Sequence, residues 1–245
     1  MQEELKILAL NSSPRKDRGG TALLLNTFLE GAKEAGAEID LIYVADLKVN
    51  SCLGCFTCWV KTPGQCVHKD DMADLITKHR TADVLILATP VFVDGMTSTM
   101  KAVLDRSIPL VQPFFEIRDN HCRHSPLGKR KITKVVLVSV SGFTELDNFD
   151  PLIAHVKAYC KNLNSEFVGA IVRPLGAQLQ VFKQMGIQVD DIFNAIKQAG
   201  RELVQAGTIR PATLNIISRE IVPRDEYIKA INASFQRQLD AIKSR

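Results

Sequence analysis

The alternation of short apolar runs with amphipathic segments is the feature that most constrains the fold of this chain. "DVLILAT" is apolar on both faces, as in a strand that helices cover on both sides of a parallel sheet. Five such runs predict strands at 5–10, 38–44, 83–89, 132–140 and 166–172, and helical spacing predicts helices near 21–36, 70–79, 97–107, 150–162 and 189–206. The pattern predicts an α/β fold with a doubly wound, five-stranded parallel sheet. If the strand order is 2-1-3-4-5, the loops after strands 1, 3 and 4 converge.

The chain of 245 residues is long enough for one large domain. We expect residues 1–206 to form it and residues 207–245 to form a C-terminal arm, with a helix after Pro223, that packs on the domain or joins subunits. Residues 108–131 are rich in proline and basic towards their end, and they predict an irregular insertion.

Composition and charge narrow the classes of partner. The excess of 31 Lys and Arg over 27 Asp and Glu is mild and suits a small anionic ligand better than nucleic acid. The start "MQEELKILAL" lacks the features of a signal peptide, and no apolar run reaches the length of a membrane span. We therefore expect a soluble, cytoplasmic protein with no nucleic-acid or membrane partner.

Four of the six cysteines fall in "SCLGCFTCWVKTPGQC" (51–66). Cys52, Cys55 and Cys58 have the spacing C-x-x-C-x-x-C, and Cys66 follows after a segment with Pro63 and Gly64. Cytosolic thiols stay reduced, so the cluster indicates metal or redox chemistry rather than disulfides. The spacing is typical of iron–sulfur sites; zinc and packed free thiols remain alternatives.

Three other sets of residues have simpler interpretations. His121, Cys122 and His124 lie on the predicted irregular segment, where their proximity in sequence is incidental. Cys160 falls within a predicted helix and fits a small buried thiol. Asp70, Asp71 and Asp74 lie at the start of the helix predicted at 70–79, and the preference of helix N-termini for acidic residues explains them better than catalysis does.

Three loops follow predicted strands at the edge where open α/β sheets bind ligands. "NSSPRKDRGGT" brings hydroxyls, arginines and glycines to the start of a helix, which favours a phosphate site, although a solvated basic turn has the same composition. "TPVFVDGMTS" offers Phe92 and Met96 to a flat ring, unless Phe92 packs in the core. "SVSGF" adds a third and weaker candidate.

The stretches "SSPRKDRGGTALLLNTFLEGA", "CLGCFTCWVKTPGQCVHKDDM" and "ATPVFVDGMTSTMKAVLDR" resemble the NADPH-dependent FMN reductase superfamily of flavodoxin-like proteins. Within it they most resemble the iron–sulfur flavoproteins, because of the cysteine loop. The resemblance covers about residues 5–175. It implies a flavodoxin-like fold with the strand order 2-1-3-4-5, bound FMN, a homodimer or homotetramer, and electron transfer through a [4Fe–4S] cluster.

The resemblance also implies a set of site residues. The FMN phosphate would lie among Ser13, Arg15, Gly20, Thr21 and Ala22. The isoalloxazine ring would lie among Pro90, Val91, Phe92, Gly95 and Met96, with Ser141 and Gly142 at its far edge. The cluster would be bound by Cys52, Cys55, Cys58 and Cys66. Members of the family commonly have Asn where this chain has Gly20, so one side-chain hydrogen bond to the phosphate would be lost.

The leading hypothesis is an FMN-dependent oxidoreductase that exchanges electrons with a ferredoxin-like donor or NAD(P)H. The flavin carries the chemistry, so no catalytic side chain is expected. One alternative is a cluster-free NAD(P)H-dependent FMN or quinone reductase. A second is a zinc-stabilised binding protein without a redox role.

Overall fold

A computed structural model describes residues 4–128 and 132–243. The strands are β1 (Lys6–Asn11), β2 (Glu38–Tyr43), β3 (Val84–Pro90), β4 (Val111–Arg118), β5 (His121–Pro126), β6 (Lys134–Ser141) and β7 (Glu166–Pro174). Five of them form one sheet in the order β2-β1-β3-β6-β7, and every pair in it is parallel. Counted along the chain this is the order 2-1-3-4-5, so the predicted α/β fold and topology are confirmed.

Helices cover both faces of the sheet. They are α1 (Gly20–Glu34), α2 (Thr57–Val60), α3 (Met72–Thr81), α4 (Ser98–Asp105), α5 (Asp150–Leu163), α6 (Leu179–Gln184), α7 (Asp190–Ala206), α8 (Pro211–Ser218) and α9 (Arg224–Lys243). On one face α1 and α7 enclose an apolar core that includes Phe28 and Ile196. On the other face α3, α4 and α5 enclose a second core that includes Met100.

The prediction that residues 108–131 are irregular was wrong. β4 and β5 form an antiparallel hairpin outside the main sheet. Its turn residues, Asp119 and Asn120, have φ values of 52° and 58°. Two-residue hairpin turns need this conformation, and Asp and Asn adopt it more readily than most residues, so "DN" was a usable signal. Residues 129–131 of the predicted insertion lie outside the described residues.

The C-terminal segment holds one helix that the sequence analysis missed. Pro211 occupies the first turn of α8, a position that proline favours. The buried guanidinium of Arg173 donates to the carbonyls of Ile217 and Arg219 at 2.7 and 2.6 Å, which fixes the end of this helix against β7. The helix expected after Pro223 is α9, which has no buried residue.

The division into a domain and an arm stays a prediction, and its terminal residues 1–3 and 244–245 lie outside the described residues. Among the described helices, none combines the length and the apolar character that crossing a bilayer requires.

Candidate functional site

Hydrogen bonds join the three candidate loops at the carboxyl end of the sheet. The Thr97 hydroxyl, after β3, donates to the Ser12 hydroxyl, after β1, at 2.8 Å. The Val91 amide donates to the carbonyl of Val140, near the end of β6, at 2.9 Å. The loops after β1, β3 and β6 therefore form one continuous surface at the place where the strand order reverses.

The loop after β1 leads directly into α1. The N-cap residue of this helix is Gly19, which offers no side chain to the first-turn amides. The Ser13 hydroxyl caps a different group, since it accepts from the Arg15 amide at 3.3 Å. Uncapped amides at a helix start favour an anion through their hydrogen bonds and through the helix dipole.

Two buried polar groups at this loop have no hydrogen-bond partner among the described residues. They are the hydroxyl of Thr21, in the first turn of α1, and the Nδ2 atom of Asn11, at the end of β1. Both side chains are at most 1% exposed. Buried polar groups are nearly always paired, so these two indicate a ligand at the loop. Sequence reasoning proposed Thr21 and missed Asn11, although Asn11 directly follows the first predicted strand and precedes the serine pair.

Gly20 has a structural reason to be glycine. A Cβ atom at this position would lie 2.8 Å from Ala177 N and from the carbonyl carbon and oxygen of Gly176. These are backbone atoms of the turn that follows β7, and they cannot rotate away. An asparagine side chain begins with the same Cβ atom, so it would not fit beside this turn either.

The loop after β3 exposes an apolar surface. Phe92 is 50% exposed and Val93 fully exposed. Val93 and Asp94 form a tight turn with positive φ, closed by hydrogen bonds between the backbones of Phe92 and Gly95 at 2.9 and 3.1 Å. Phe92 is therefore not a core residue. Its ring is free to contact a flat ligand, whereas Met96 is buried beneath the loop.

The remaining predicted FMN contacts differ in accessibility. Arg15 and Gly142 are exposed, and Ser141 is buried with its hydroxyl donating to the Phe143 carbonyl at 3.1 Å. Ala22 is completely buried, so only its backbone could meet a phosphate. The structure thus brings the predicted residues to one edge, and their contact with FMN stays a prediction.

The four predicted cluster ligands line one small pocket. Cys52 and Cys55 are exposed, Cys66 is half-buried, and Cys58 is buried in the short helix α2. Burial raises the pKa of the Cys58 thiol, and the neighbouring thiols raise it further, Cys66 most. Hydrogen bonds from Thr57 lower the pKa of the Cys55 thiol. The thiols are thus close enough to influence one another electrostatically.

The donor set fits a thiolate-bound metal or cluster in chemistry, because thiolates are the ligands that iron–sulfur clusters and zinc share. In their present positions, however, no three metal-binding side chains of residues 4–128 and 132–243 are arranged to hold a metal ion. The pocket is therefore a collection of potential ligands rather than a formed coordination shell.

Aromatic rings connect the cysteine loop to the hairpin. Phe56 stacks on Trp59 at 4.9 Å between ring centroids, Trp59 meets His124 at 4.7 Å, and His124 meets Phe115 at 5.0 Å. The Trp59 indole also donates to the carbonyl of Ile108 at 3.2 Å. His124, which the sequence analysis treated as incidental, thus supports the loop from outside.

Asp70 has a larger role than starting a helix. Its carboxylate accepts two hydrogen bonds from Arg106, each 2.9 Å long, and the side chains are 4% and 1% exposed. These bonds hold the pKa of Asp70 well below its usual range. Sequence reasoning did not identify Arg106, because nothing local links it to a residue 36 positions away.

The model of the NADPH-dependent FMN reductase family matches residues 5–142, more than half of the chain. The chain belongs to this family. The matched segment includes β1, β3 and β6, so all three strands that carry the candidate loops lie within it. The suspected family resemblance is confirmed.

Curated relatives of this FMN reductase family member are named iron–sulfur flavoproteins. One from Methanocaldococcus jannaschii is 37% identical over 106 residues, which are 43% of this chain and 53% of the relative. One from Archaeoglobus fulgidus is 35% identical over 105 residues, which are 43% of this chain and 46% of the relative. The chain thus spans about half the length of the curated relatives it matches.

Several solved structures resemble this chain in fold. An FMN-dependent NADH-azoreductase from Bacillus anthracis in complex with FMN has a TM-score of 0.60 and 17% identity, covering 82% of this chain and 100% of its own. An NAD(P)H:quinone oxidoreductase from Methanothermobacter marburgensis has a TM-score of 0.56 and 16% identity, and the match covers 82% of this chain and 97% of that protein. At these identities the likeness supports the flavodoxin-like fold alone.

Proposed function

We propose that the protein is an FMN-dependent oxidoreductase that passes electrons from a reduced donor, NAD(P)H or a ferredoxin-like protein, to an acceptor. The observation that carries this proposal is the joining of three loops beside two buried polar groups that lack a partner within residues 4–128 and 132–243, Asn11 at the end of β1 and Thr21 in the first turn of α1. Membership of the FMN reductase family and relatives named as flavoproteins support FMN as the ligand.

The chain would bind and orient the flavin, which supplies the redox chemistry when bound. The α1 amides, Ser13 and Thr21 would hold the phosphate, with the exposed Arg15 adding positive charge. The loop 90–96 would line the ring, and residues 141–142 would close its far edge. No side chain of the chain is required as a general acid or base.

Replacing Thr21 by valine tests the flavin site. The substitution removes a buried hydroxyl that has no partner within the described chain, so we expect the apoprotein to be as stable as wild type or more stable. Loss of a hydrogen bond to a charged phosphate costs about 1.5–3 kcal/mol, which weakens FMN binding roughly tenfold to a hundredfold.

The matched control is Thr27→Val in the same helix, whose hydroxyl donates to the Leu23 carbonyl. We expect it to leave the dissociation constant for FMN, measured by flavin fluorescence, unchanged. If Thr21→Val binds FMN as tightly as wild type, the phosphate site is not at α1.

We further propose that Cys52, Cys55, Cys58 and Cys66 hold a [4Fe–4S] cluster, which makes the protein an electron-transferring iron–sulfur flavoprotein. Support comes from the common pocket of the four thiols and from the names of the curated relatives. The cluster would add a site for single electrons to the two-electron capacity of the flavin.

The test is purification without oxygen, followed by an absorption spectrum and analysis of iron, acid-labile sulfide, zinc and flavin. We expect about four irons and four sulfides per chain in wild type. Cys58→Ser should lose them and keep flavin, whereas Cys122→Ser, at an exposed cysteine outside the pocket, should keep both.

A cluster-free NAD(P)H-dependent FMN or quinone reductase is the second candidate. It is favoured by the finding that the described thiols do not form a ready coordination shell. Flavin without iron, together with NAD(P)H oxidation, would select it. Zinc without flavin would select the non-redox binding protein instead.

We also propose that the chain forms a homodimer or homotetramer. The exposed apolar side chains of Phe114, Phe115 and Ile117 on β4, and the helix α9 without buried residues, support this. Light scattering of full-length protein tests it, and a monomeric mass would reject it.

A further inference from the structure

A cavity of about 440 Å³ lies between α4, α5 and the hairpin of β4 and β5. Ligand pockets in proteins commonly have volumes of about 300–1,000 Å³, so this cavity is large enough for a small molecule. The residues of α4 and α5 that line it lie towards the C-terminal ends of these helices. Because both helices run back across the sheet from its carboxyl edge, the cavity lies away from the flavin loops. None of the described residues that line it is a predicted flavin contact or one of the four predicted cluster ligands.

Aromatic side chains form part of the cavity wall. Trp59, Tyr159 and His124 all line it. Trp59 is held in place by its stacking on Phe56 at 4.9 Å between ring centroids, and by the hydrogen bond from its indole to the Ile108 carbonyl at 3.2 Å. The His124 ring meets it at 4.7 Å. A wall of aromatic rings in fixed positions favours a flat aromatic ligand, because such rings stack or meet edge to face.

The charged groups of the cavity leave one positive charge for a ligand. Lys101 and Asp105 line the cavity and pair with each other at 2.6 Å, so they neutralise one another. Arg123 also lines it and forms no ion pair within residues 4–128 and 132–243. Glu116 lies opposite Arg123 in the hairpin, but its carboxylate accepts a hydrogen bond from Arg118, at 2.8 Å, instead. The cavity therefore suits a ligand with one negative group.

Hydrogen-bonding capacity accompanies this charge. The Arg123 guanidinium donates from Nη1 to the Cys122 carbonyl at 3.1 Å, which uses one of its five N–H groups. The planar fork of a guanidinium matches the two oxygens of a carboxylate. The neighbouring His124 has a buried Nδ1 atom without a hydrogen-bond partner in the described parts of the chain. Buried polar atoms are nearly always paired, so this atom also points to a ligand here.

We propose that the cavity between α4, α5 and the hairpin binds a small planar aromatic carboxylate, with its ring against Trp59 and Tyr159 and its carboxylate on Arg123. Binding is non-covalent and transfers neither electrons nor protons. The site is separate from the flavin loops and from the four thiols, so the proposal does not depend on FMN or on a cluster.

Isothermal titration calorimetry of the full-length protein with 2-naphthoate, in the presence of FMN, tests the proposal. We expect one molecule of 2-naphthoate to bind per chain without releasing bound flavin. Trp59 is the only tryptophan of the chain, so its fluorescence reports from the cavity wall and should change during the titration. Absence of binding heat, release of flavin, or an unchanged Trp59 emission would each overturn the proposal.

Two analogues separate the contributions of charge and ring. 2-Naphthamide has the same rings without the negative charge, and it should bind about tenfold more weakly or worse because the charge-assisted hydrogen bonds are lost. Decahydro-2-naphthoate keeps the charge on a saturated ring system and should bind about threefold to tenfold more weakly. An amide that binds as tightly as the acid rejects the role of Arg123, and a saturated acid that binds equally well rejects an aromatic ligand.

Variants locate the site. Arg123→Met should weaken 2-naphthoate binding about tenfold or more, whereas Lys161→Met removes a positive charge from an exposed position of α5 outside the cavity and should not. Ala158→Phe adds a ring at an exposed cavity-lining position of α5 and should abolish binding, whereas Ala154→Phe, exposed on the same helix but outside the cavity, should not. Wild-type affinity in Arg123→Met or in Ala158→Phe overturns the proposal. If circular dichroism shows that Arg123→Met does not fold, Ala158→Phe and the two analogues still decide the question.

Discussion

Replacing Gly20 by alanine tests how closely the turn after β7 packs against the start of α1. The new Cβ would lie 2.8 Å from backbone atoms of Gly176 and Ala177, closer than such contacts normally occur. Because those atoms belong to backbone, either α1 or the turn must move. Forcing one extra carbon into a packed site costs about 1–3 kcal/mol, and we expect the free energy of unfolding to fall by that amount.

The displacement should also weaken flavin binding. Moving the α1 amides by a few tenths of an ångström weakens charge-assisted hydrogen bonds to a phosphate, each worth about 1.5–3 kcal/mol. We therefore expect FMN affinity to fall about tenfold or more. Urea unfolding of the apoprotein and fluorescence titration with FMN measure the two effects separately.

Gly169→Ala is the matched control, because its Cβ would meet only Leu214 at an ordinary 3.6 Å in the middle of β7. This variant should keep wild-type FMN affinity. Wild-type stability together with wild-type affinity in Gly20→Ala would refute the reasoning, since the close approach would then impose no constraint.

Three further outcomes follow from the described contacts. The folded pKa of Asp70 is lowered, so its ionised form stabilises the fold above the unfolded pKa of about 4, and this contribution is lost as the pH falls through the folded value. Asp70→Asn should therefore lower the free energy of unfolding at neutral pH by about 3 kcal/mol, measured by urea titration. The difference in unfolding free energy between this variant and wild type should be smaller near pH 3. Trp59→Phe loses the hydrogen bond to the Ile108 carbonyl and should lower the free energy of unfolding, followed by circular dichroism, by about 1 kcal/mol. Phe56→Leu, at the exposed end of the aromatic stack, should lower it by less. Truncating the chain after residue 228, beyond the contact of Tyr227 with the core, should leave the thermal midpoint unchanged but lower the mass measured by light scattering from that of an oligomer to that of a single chain.

The sheet was predictable because its signal is local. The run at 83–89 is apolar throughout, and the structure places β3 at Val84–Pro90 between two other buried strands. The same holds for the helix expected at 189–206, which is α7 within one residue of its predicted start. Periodicity of apolar residues over such lengths reflects burial directly.

The hairpin and α8 were missed for different reasons. β4 carries Pro113 and a register shift after Val111, and the apolar side chains of Phe114, Phe115 and Ile117 all face solvent. The alternation that marks a half-buried strand was therefore absent. α8 is too short for a clear period, and the buried Arg173 that fixes its end lies 44 residues away from Ile217. Long-range contacts of this kind leave no local trace in a sequence.

The loops of the candidate site could be predicted from the sequence, whereas the residues that hold those loops in place could not. The strand pattern located the loops after β1 and β3, spacing singled out the four cysteines, and motif resemblance then supplied their expected roles. The backbone contact behind Gly20 and the pairing of Asp70 with Arg106 both depend on elements that meet only after folding. A sequence shows which residues have the right chemistry, whereas their neighbours decide what that chemistry can do.

Residues at the two ends of α4 form hydrogen bonds with the two candidate sites, the loop after β1 and the cysteine loop. Just before its first residue, Thr97 accepts from the Met100 amide and donates to Ser12 in the loop that precedes α1. Just after its last residue, Arg106 holds both ends of the cysteine loop. The helix has eight residues and so spans about 12 Å, because each residue adds about 1.5 Å. The buried face of this helix, which includes Met100, Val103 and Leu104, packs in the core that it shares with α3 and α5. The packing of α4 therefore positions both the loop after β1 and the ends of the cysteine loop relative to the sheet.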